Sequence, residues 1–323
     1  MSKKRKKLDQ HNKVSIGSSE TTREPTLFHF DDFIENYQPE QLRNRSKQET
    51  VSFLEWFVGF SEGDGSFERR ISDGRPRLSF TIKQKDPQLL YKVKAGLGFG
   101  TVREDHGLEG LYRFTVEDQT GIRRLMALFN GNFVLPKVRR RYEIWVTETA
   151  LWPDFPFSKN SVIPSLKTAW ISGFVEAEGC FYAGLVKPSQ RSVQEARLCQ
   201  SFTVTQKDVL GEKKVLEDIR DCFASKTKIL SPKPSCYRTQ ITSIKSQQLI
   251  ADYFRKFCLK GKKKLTFFRW WRILLLRSNQ VHYEKANQFK LKRLVNSLNA
   301  STKKQGALKE KISTIKDEFA ITD

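Results

Sequence analysis

Polar and apolar residues alternate along two segments of the chain, and the two segments resemble each other. Residues 77–85 and 197–207 each place apolar side chains between basic and hydroxyl side chains. Such alternation is typical of a β-strand with one face on a core and the other exposed. The pattern therefore predicts two strands with a basic, hydroxyl-rich outer face. The inner positions are Leu78, Phe80, Ile82, Leu198, Phe202 and Val204.

A short apolar segment precedes each of these strands and runs into acidic residues. Residues 54–67 read L-E-W-F-V-G-F-S-E-G-D-G-S-F, and residues 169–181 read A-W-I-S-G-F-V-E-A-E-G-C-F. Both contain Gly-Phe, then two acids separated by a small residue, then Gly-x-Phe. We expect short helices over residues 54–62 and 168–176, each followed by a pair of strands.

The chain therefore contains an internal duplication. The segments S-F-T-I-K-Q-K-D (79–86) and S-F-T-V-T-Q-K-D (201–208) are identical at six of eight positions, and Tyr-Arg pairs recur at 112–113 and 237–238. With helices expected at 87–97 and 210–223, each copy reads αββαββα, an α+β arrangement. The predicted parts are a basic, mostly disordered extension (1–50), two repeats (51–150 and 166–299), a proline-containing linker (151–165) and a C-terminal tail (300–323).

The charge of the chain indicates a polyanionic partner. Lys and Arg number 58 against 36 Asp and Glu, which gives a formal net charge of +22. Neutralising phosphates releases counterions, so nucleic acid is the expected partner. The basic run at residues 3–7 fits a nuclear localisation signal, a phosphate-binding arm or a solvated tail equally.

Other function classes are disfavoured by composition. The five Cys are scattered without C-x-x-C spacing, and the four His are not paired at metal-ligand spacing. A disulfide framework or a zinc site is therefore not expected. A reducing compartment is the expected environment. The chain lacks a run of about 18 uncharged apolar residues, so we expect no membrane span.

The two expected helices carry small residues on one face. Gly59 and Gly63 are four residues apart, as are Gly173 and Ala177. Small residues at this spacing let two helix backbones approach closely, so the copies can pack across a pseudo-twofold axis. The acids that follow, Asp64 and Glu178, would then meet, and their carboxylates are hard ligands suited to Mg²⁺.

These motifs resemble those of a known family. F-V-G-F-S-E-G-D-G (57–65) and I-S-G-F-V-E-A-E-G (171–179) are similar to the paired motifs of single-chain LAGLIDADG homing endonucleases, and the resemblance covers roughly residues 51–280. It implies a DNA-binding saddle of two four-stranded antiparallel sheets related by pseudo-twofold symmetry. It also implies a monomer that cuts both strands of a long asymmetric duplex and leaves 3′ overhangs. The expected location is an organelle, with the nucleus as the alternative.

The resemblance assigns a metal site. Asp64 and Glu178 match the metal-binding acids of the family, and the carbonyl groups of Gly63 and Ala177 match secondary metal contacts. The implied cofactor is Mg²⁺, as two or three ions. Mn²⁺ is expected to substitute for Mg²⁺, and Ca²⁺ to support DNA binding without cleavage.

The resemblance also implies further catalytic residues. Gln84 and Gln206 lie where the family often has a polar residue that organises catalytic water. Lys137 and Lys262 match a lysine from each half, with a register open by a residue or two and phosphate binding as the alternative role. Ser61 and Gly63 depart from the usual apolar residue and Ala, yet neither change removes a ligand.

The outer strand faces and neighbouring loops are the expected DNA-binding surface, because basic and hydroxyl groups bond phosphate oxygens and base edges. Two other functions on the same scaffold stay open, an intron RNA maturase and a DNA-binding regulator without nuclease activity. The residues expected to bind DNA are Arg69, Arg70, Arg75, Arg77, Ser79, Thr81, Lys83, Lys85, Arg103, Arg113, Lys187, Arg191, Arg197, Ser201, Thr203, Thr205, Lys207 and Arg238.

Overall fold

The computed structural model describes residues 27–105, 109–147, 155–186, 197–280 and 286–298. Lys187, Arg191, the predicted C-terminal tail and the first part of the predicted N-terminal extension lie outside these ranges. Among the described residues, no helix combines the length and the apolar character needed to cross a membrane.

The two halves of the chain have the same order of elements, and each ends in two helices where the sequence pattern resolved one. The first half contains α1 (Lys47–Asp64), β1 (Gly65–Ser72), β2 (Arg75–Gln84), α2 (Pro87–Leu97), β3 (Thr101–Glu104), β4 (Tyr112–Val116), α3 (Gln119–Phe129) and α4 (Pro136–Thr147). The second contains α5 (Trp170–Glu178), β5 (Gly179–Val186), β6 (Arg197–Lys207), α6 (Glu212–Cys222), β7 (Leu230–Lys233), β8 (Cys236–Ile241), α7 (Ile244–Lys256) and α8 (Lys263–Ser278). A further helix, α9, covers residues 286–298.

The strands form two four-stranded antiparallel sheets, which confirms the predicted α+β class. The strand orders are β1-β2-β4-β3 and β5-β6-β8-β7. The central strands β2 and β6 therefore occupy the same position in the two sheets, β2 between β1 and β4 and β6 between β5 and β8. Their apolar faces pack on the helices, where Phe114 is buried and Phe80, Phe181 and Phe202 are buried among aromatic rings.

Helix α1 starts earlier than the hydrophobic pattern indicated. Ser46 caps the helix by accepting a hydrogen bond from the Glu49 backbone N–H, while the Glu49 side chain accepts one from the Ser46 backbone N–H. This reciprocal capping box satisfies two N–H groups that would otherwise lack partners. The helix therefore begins at Lys47 and continues through Asp64, and α5 likewise continues through Glu178.

Residues 27–46 form a segment that packs on the first half, although the extension over residues 1–50 was expected to be mostly disordered. Phe30 and Phe33 are buried in the core, and the His29 backbone exchanges hydrogen bonds with the Asn132 side chain. Arg124 Nε donates to the Tyr37 carbonyl oxygen at 3.0 Å. Phe30, Phe33, Ile34 and Tyr37 have the spacing of one helix face, and this short signal was missed because the rest of the extension is polar and aperiodic.

We expect Phe33→Ala to lower the free energy of unfolding by about 3 kcal/mol, as is usual when a buried aromatic ring is removed. Phe33 is only 1% exposed, so its removal leaves a cavity beside α3. Urea unfolding measures the change, with Phe28→Ala as a control for a partly buried ring in the same segment. An unchanged midpoint for Phe33→Ala would show that the segment does not contribute to the core.

Candidate active site and nucleic-acid interface

Helices α1 and α5 meet at their small residues. A Cβ atom added to Gly173 would lie 1.8 Å from the Trp56 carbonyl oxygen, and one added to Gly59 would lie 2.2 Å from the Trp170 carbonyl oxygen. Since real Cβ atoms do not approach so closely, only glycine fits at either position. The reciprocal contacts follow the sequence duplication, so the predicted pseudo-twofold packing is present.

The same packing continues to the acidic ends of the two helices. A Cβ atom on Gly63 would lie 2.3 Å from the Ala177 Cβ and 3.3 Å from the Glu178 Cγ. Asp64 follows Gly63 directly and ends α1, and Glu178 ends α5. The acids of the two halves therefore adjoin at one end of the helix interface, as the sequence predicted.

The donor set at this end fits a divalent cation that keeps part of its own shell. Asp64 and Glu178 are half-buried, and Gln84 Nε2 donates to Asp64 Oδ2 at 2.6 Å. Among the described residues, no three His, Cys, Asp or Glu side chains cluster closely enough to enclose a metal ion. Two carboxylates leave coordination positions for water and phosphate oxygens, which is how Mg²⁺ is commonly bound.

The first acid of each motif has a different role from the second. Glu62 Oε1 accepts hydrogen bonds from the backbone N–H groups of Val134 and Leu135, at 3.0 and 2.6 Å. Glu176 Oε2 accepts them from Lys260 and Gly261, at 2.7 and 3.1 Å. Both acids are buried. Glu62 fixes the loop that leads into α4, and Glu176 fixes the loop that leads into α8.

Burial raises the pKa of these carboxyl groups. Desolvation raises the pKa of Glu62 to about 8, against hydrogen bonds from Leu135, Val134 and the Trp170 indole that lower it. Desolvation also raises the pKa of Glu176, although the nearby Lys263 and two backbone N–H groups oppose this. The first acids thus contribute to the structure of the interface, and the half-exposed second acids are the ones accessible to a ligand.

Two lysines lie at the starts of α4 and α8, directly after the loops that the first acids fix. Lys137 Nζ donates to Gln206 Oε1 at 2.5 Å and to the Lys207 carbonyl oxygen at 3.0 Å. Lys263 Nζ donates to the carbonyl oxygens of Val175 and Ala177, at 2.9 and 3.4 Å. Burial lowers the pKa of Lys137, while Glu212 and Glu178 act to raise it.

The structure places Lys263, rather than the predicted Lys262, at the second lysine position. Lys262 is exposed and precedes α8, whereas Lys263 is 7% exposed and lies within hydrogen-bonding distance of α5. The hydrogen bonds of the first acids set the register, since Leu135 corresponds to Gly261 and hence Lys137 to Lys263. The sequence alone leaves the position of this lysine open by a residue or two.

Glu212 was not predicted from the sequence. Its side chain is fully buried, and it accepts hydrogen bonds from the Lys137 backbone N–H at 2.8 Å and from Val209 N–H at 2.6 Å. It therefore holds the backbone of a first-half lysine to the start of α6 in the second half. The duplicated motifs contain no signal for this contact, because it joins segments outside them.

A groove of about 760 Å³ opens from Glu178 along the second sheet. We call the sheet face that lines it, together with the equivalent face of the first sheet, the polar face. Sequence reasoning missed Tyr182 and Gln240, which also line the groove. They lie opposite Ser201 and Thr203, a strand register that the sequence alone does not show. The groove is lined by Lys137, Glu178, Gly179, Cys180, Tyr182, Ser201, Thr203, Thr205, Gln206, Lys207, Arg238, Gln240 and Lys263.

Most residues predicted to bind DNA are accessible. Ser79, Thr81 and Ser201 are the described exceptions, at 2%, 7% and 5% exposure. They lie on the central strands β2 and β6, which have a neighbouring strand on each side. The accessible ones are Arg69, Arg70, Arg75, Arg77, Lys83, Lys85, Arg103, Arg113, Arg197, Thr203, Thr205, Lys207 and Arg238.

Arg69 lies on the other side of its sheet. It pairs with Leu78, a core residue, whereas Arg70 pairs with Arg77 on the polar face. Since side chains alternate along a strand, Arg69 belongs to the same side of the sheet as Leu78, although Arg69 itself is exposed. Strand register, which the sequence pattern of β1 does not show, decides this.

We expect Glu55→Gln to flatten the dependence of folding stability on pH. Glu55 accepts a hydrogen bond from the Ala169 backbone N–H at 2.8 Å, and burial raises its pKa to about 7. The folded chain therefore binds this proton more tightly than the unfolded chain, whose glutamate pKa is about 4.3. The corresponding stability is full below that value and is lost as pH rises through about 7.

Urea unfolding at about pH 4 and about pH 8 tests this, because the two values bracket the interval between the unfolded and the folded pKa of Glu55. The free energy of unfolding of Glu55→Gln falls less between them than that of the unchanged chain. Glu40→Gln, which changes an exposed acid shortly before α1, serves as the control. An equal fall in Glu55→Gln and the unchanged chain would contradict the assignment.

A protein-family comparison agrees with the repeats. Residues 57–148 and 171–274 match the family described as LAGLIDADG endonuclease. The two matched regions together cover more than half of the 323-residue chain, and they include the acidic ends of both α1 and α5. The chain belongs to the LAGLIDADG endonuclease family.

Two relatives are named as intron-encoded proteins. "Probable intron-encoded endonuclease 4" of Neurospora crassa is 30% identical over 251 residues, which cover 77% of this chain and 45% of the relative. "Probable intron-encoded endonuclease Cox1-I1b" of Schizosaccharomyces pombe is 25% identical over 266 residues, which cover 71% of this chain and 66% of the relative. The chain thus spans less than two thirds of the length of either relative.

Solved meganuclease structures share the fold. LAGLIDADG meganuclease I-AabMI bound to uncleaved DNA gives a TM-score of 0.61 at 19% identity, covering 76% of this chain and 99% of that chain. Meganuclease I-SmaMI bound to uncleaveable DNA gives 0.62 at 18% identity, covering 79% and 100%. These similarities establish the architecture of paired four-stranded sheets.

Proposed function

We propose that this protein is a homing endonuclease that cuts both strands of a long, asymmetric DNA duplex and leaves 3′ overhangs. The observation that carries the proposal is the α1–α5 contact, which brings Asp64 and Glu178 together between two sheets with basic polar faces. Family membership supports the same reaction. The names of two relatives support an intron as the genomic setting, and we propose an organelle as the compartment.

Asp64 and Glu178 would hold divalent cations, with the carbonyl groups of Gly63 and Ala177 as further ligands. Two bound Mg²⁺ ions supply an activated water and stabilise the leaving oxygen in phosphodiester hydrolysis. Mn²⁺ is expected to replace Mg²⁺, and Ca²⁺ to support binding alone. Because one chain provides both acids, the active form is proposed to be a monomer.

The remaining polar side chains orient and stabilise the reacting groups. Gln84, hydrogen-bonded to Asp64, is placed to position water on one side of the site. Lys137, hydrogen-bonded to Gln206, presents a positive charge on the Glu178 side. Lys263 presents a second one beside Ala177. Positive charges fixed in this way stabilise the negative charge that develops on phosphate oxygens during hydrolysis.

The experiment uses a duplex in which the sequences on either side of the proposed host intron are joined without the intron. Purified protein is incubated with this duplex and Mg²⁺, and both strands are mapped at nucleotide resolution. We expect one cut in each strand, close to the junction, with 3′ overhangs. Intact DNA at all protein concentrations, with a folded protein that binds the duplex in Ca²⁺, would indicate a regulator without nuclease activity.

We expect Lys263→Met to slow cleavage by about a hundredfold, the usual cost of losing one fixed charge-stabilising group. Lys262→Met is the matched control, since this exposed lysine is adjacent in sequence and its loss is expected to change the rate little. Single-turnover cleavage with Mg²⁺ provides the rates. A large loss of rate in Lys262→Met with a small loss in Lys263→Met would contradict this assignment and favour Lys262, the lysine predicted from the sequence.

A further inference from the structure

The polar faces of the two sheets hold an equivalent arginine in different ways. In the first sheet, Lys83, Arg113 and Arg103 lie side by side on β2, β4 and β3. In the second sheet the equivalent row is Thr205, Arg238 and Leu230. The repeated Tyr-Arg pairs of the sequence align Arg113 with Arg238. The two rows therefore allow a direct comparison within one molecule.

A carboxylate forms ion pairs with two of the three cations in the first row. Asp105 Oδ2 lies 2.8 Å from Lys83 Nζ, and its Oδ1 lies 4.0 Å from Arg113 Nη1. The Asp105 side chain is 13% exposed, and its backbone N–H donates to the Leu111 carbonyl oxygen at 2.8 Å. In the second row, by contrast, Arg238 Nε donates to the neutral Thr205 hydroxyl at 3.1 Å.

Asp105 is a mostly buried acid on a surface that is proposed to bind a polyanion, and its presence there needs a physical explanation. A negative charge there repels phosphate, and it offsets part of the attraction of the two cations that contact it. For non-specific binding to a DNA backbone, this arrangement is a disadvantage. The loss of attraction for phosphate is explained if the fixed positions of Lys83 and Arg113 contribute to a different property of binding.

Fixed cations are suited to reading bases. Lys and Arg lose substantial side-chain entropy when a ligand immobilises them, and a carboxylate that already holds them lowers that cost. Their N–H donors match the O6 and N7 acceptors of guanine in the major groove. Phosphate contacts require less defined geometry, because they carry no sequence information.

We propose that Asp105 is a specificity-determining residue, which holds Lys83 and Arg113 so that they select G·C pairs in the half of the target that the first sheet contacts. This inference rests on the proposed function for its DNA target. It gives Asp105 an indirect role, since its carboxylate orients the two cations and the cations contact the bases. Among the residues that the structure describes, none supplies such a carboxylate at the equivalent row of the second sheet, where Arg238 is held by the Thr205 hydroxyl.

The test is a binding selection from a library of randomised duplexes in Ca²⁺, which requires no cleavage. The unchanged chain is expected to enrich one long asymmetric sequence. Asp105→Asn is expected to lose preference for a G·C pair at one or two neighbouring positions of one half-site, by at least about fivefold at each position. The other half-site keeps its preferences.

A second readout is the salt dependence of binding to a non-specific duplex. Asp105→Asn releases Lys83 and Arg113 from their carboxylate, so they become available to phosphates. The slope of log affinity against log salt concentration is expected to steepen by about 0.9 for each cation that gains a phosphate contact. Specific and non-specific binding are thus expected to change in opposite directions.

Two controls separate orientation from charge. Glu117→Gln removes one negative charge from the same sheet, where Glu117 pairs with Arg70 in an exposed ion pair, and it is expected to leave the base preferences unchanged. Thr205→Val removes the hydroxyl that holds Arg238, so any change is expected in the other half-site. Lys83→Met is expected to lose the same G·C preference as Asp105→Asn. It provides the test of the inference if the Asp105→Asn variant does not fold.

The outcomes distinguish this inference from the function on which it rests. If the unchanged chain enriches no sequence, the proposed function is wrong. If it enriches a sequence and both Asp105→Asn and Lys83→Met keep the full profile, only the role of Asp105 is overturned. Equal losses in Asp105→Asn and Glu117→Gln would also overturn it, because charge alone would then explain the effect.

Discussion

A chain with both Asp64→Asn and Glu178→Gln is expected to cut its target at least about a thousandfold more slowly than the unchanged chain. Bound metal ions contribute several kcal/mol of transition-state stabilisation, and each 1.4 kcal/mol corresponds to about a factor of ten in rate. DNA affinity is expected to be kept or increased, because two negative charges beside phosphates are removed. Single-turnover cleavage in Mg²⁺ and binding in Ca²⁺ provide the two quantities.

Asp73→Asn is the matched control for these substitutions. Asp73 lies in the turn between β1 and β2 at a φ of 52°, a backbone conformation that Asn also adopts readily. It removes an acid from the same half without touching the helix interface. Rapid cutting by the double variant, or equal slowing by Asp73→Asn, would contradict the assignment of Asp64 and Glu178.

Gly173→Ala is expected to lower the free energy of unfolding by about 2 kcal/mol or more and to reduce cleavage as well. The added methyl group would lie 1.8 Å from the Trp56 carbonyl oxygen, so α1 and α5 must separate. Overpacking of this kind usually costs about 1–3 kcal/mol, occasionally more. Alanine gains about 1 kcal/mol over glycine in a helix, which offsets only part of the loss.

Urea unfolding and single-turnover cleavage measure the two effects of Gly173→Ala. Gln48→Ala is the control, since it changes an exposed residue of α1 and leaves the interface intact. Movement of the helices displaces Glu178 relative to Asp64, so we expect the cleavage rate to fall even at temperatures where the variant is fully folded. Unchanged stability and rate would show that the close helix contact is not required.

The duplicated segments made the fold and the site predictable to different degrees. Period-two alternation and the repeated S-F-T-x-x-Q-K-D segment located the central strands closely, and the residues expected for β6, 197–207, match the structure. The start of α1 was missed because a capping box at Ser46 and Glu49, not apolar periodicity, defines it. The spacing of small residues was sufficient to predict the α1–α5 packing.

The division of roles between adjacent acids required the structure. Glu62 and Asp64 are two residues apart, which places them about 200° apart around a helix, on opposite sides. One side faces the loop at Val134 and Leu135, and the other faces the end of α5. Sequence alone names both acids but does not show which side each faces.

Contacts between distant segments were the least predictable. The register that selects Lys263 follows from backbone hydrogen bonds to Glu176, which apolar periodicity does not encode. The burial of Ser79 and Thr81 follows from the position of β2 between β1 and β4. Asp105 lies after β3, outside any repeated motif, and its contact with Lys83 depends on the pairing of strands across the sheet.

The location of bound metal tests the central claim most directly. Crystals of the chain with its target duplex and Mn²⁺, measured near the manganese absorption edge, reveal the ions by their anomalous scattering. We predict anomalous peaks coordinated by the carboxylates of Asp64 and Glu178 where α1 and α5 end, with DNA phosphates completing the shell. Peaks bound elsewhere, with these two carboxylates free of metal beside an ordered duplex, would contradict the account.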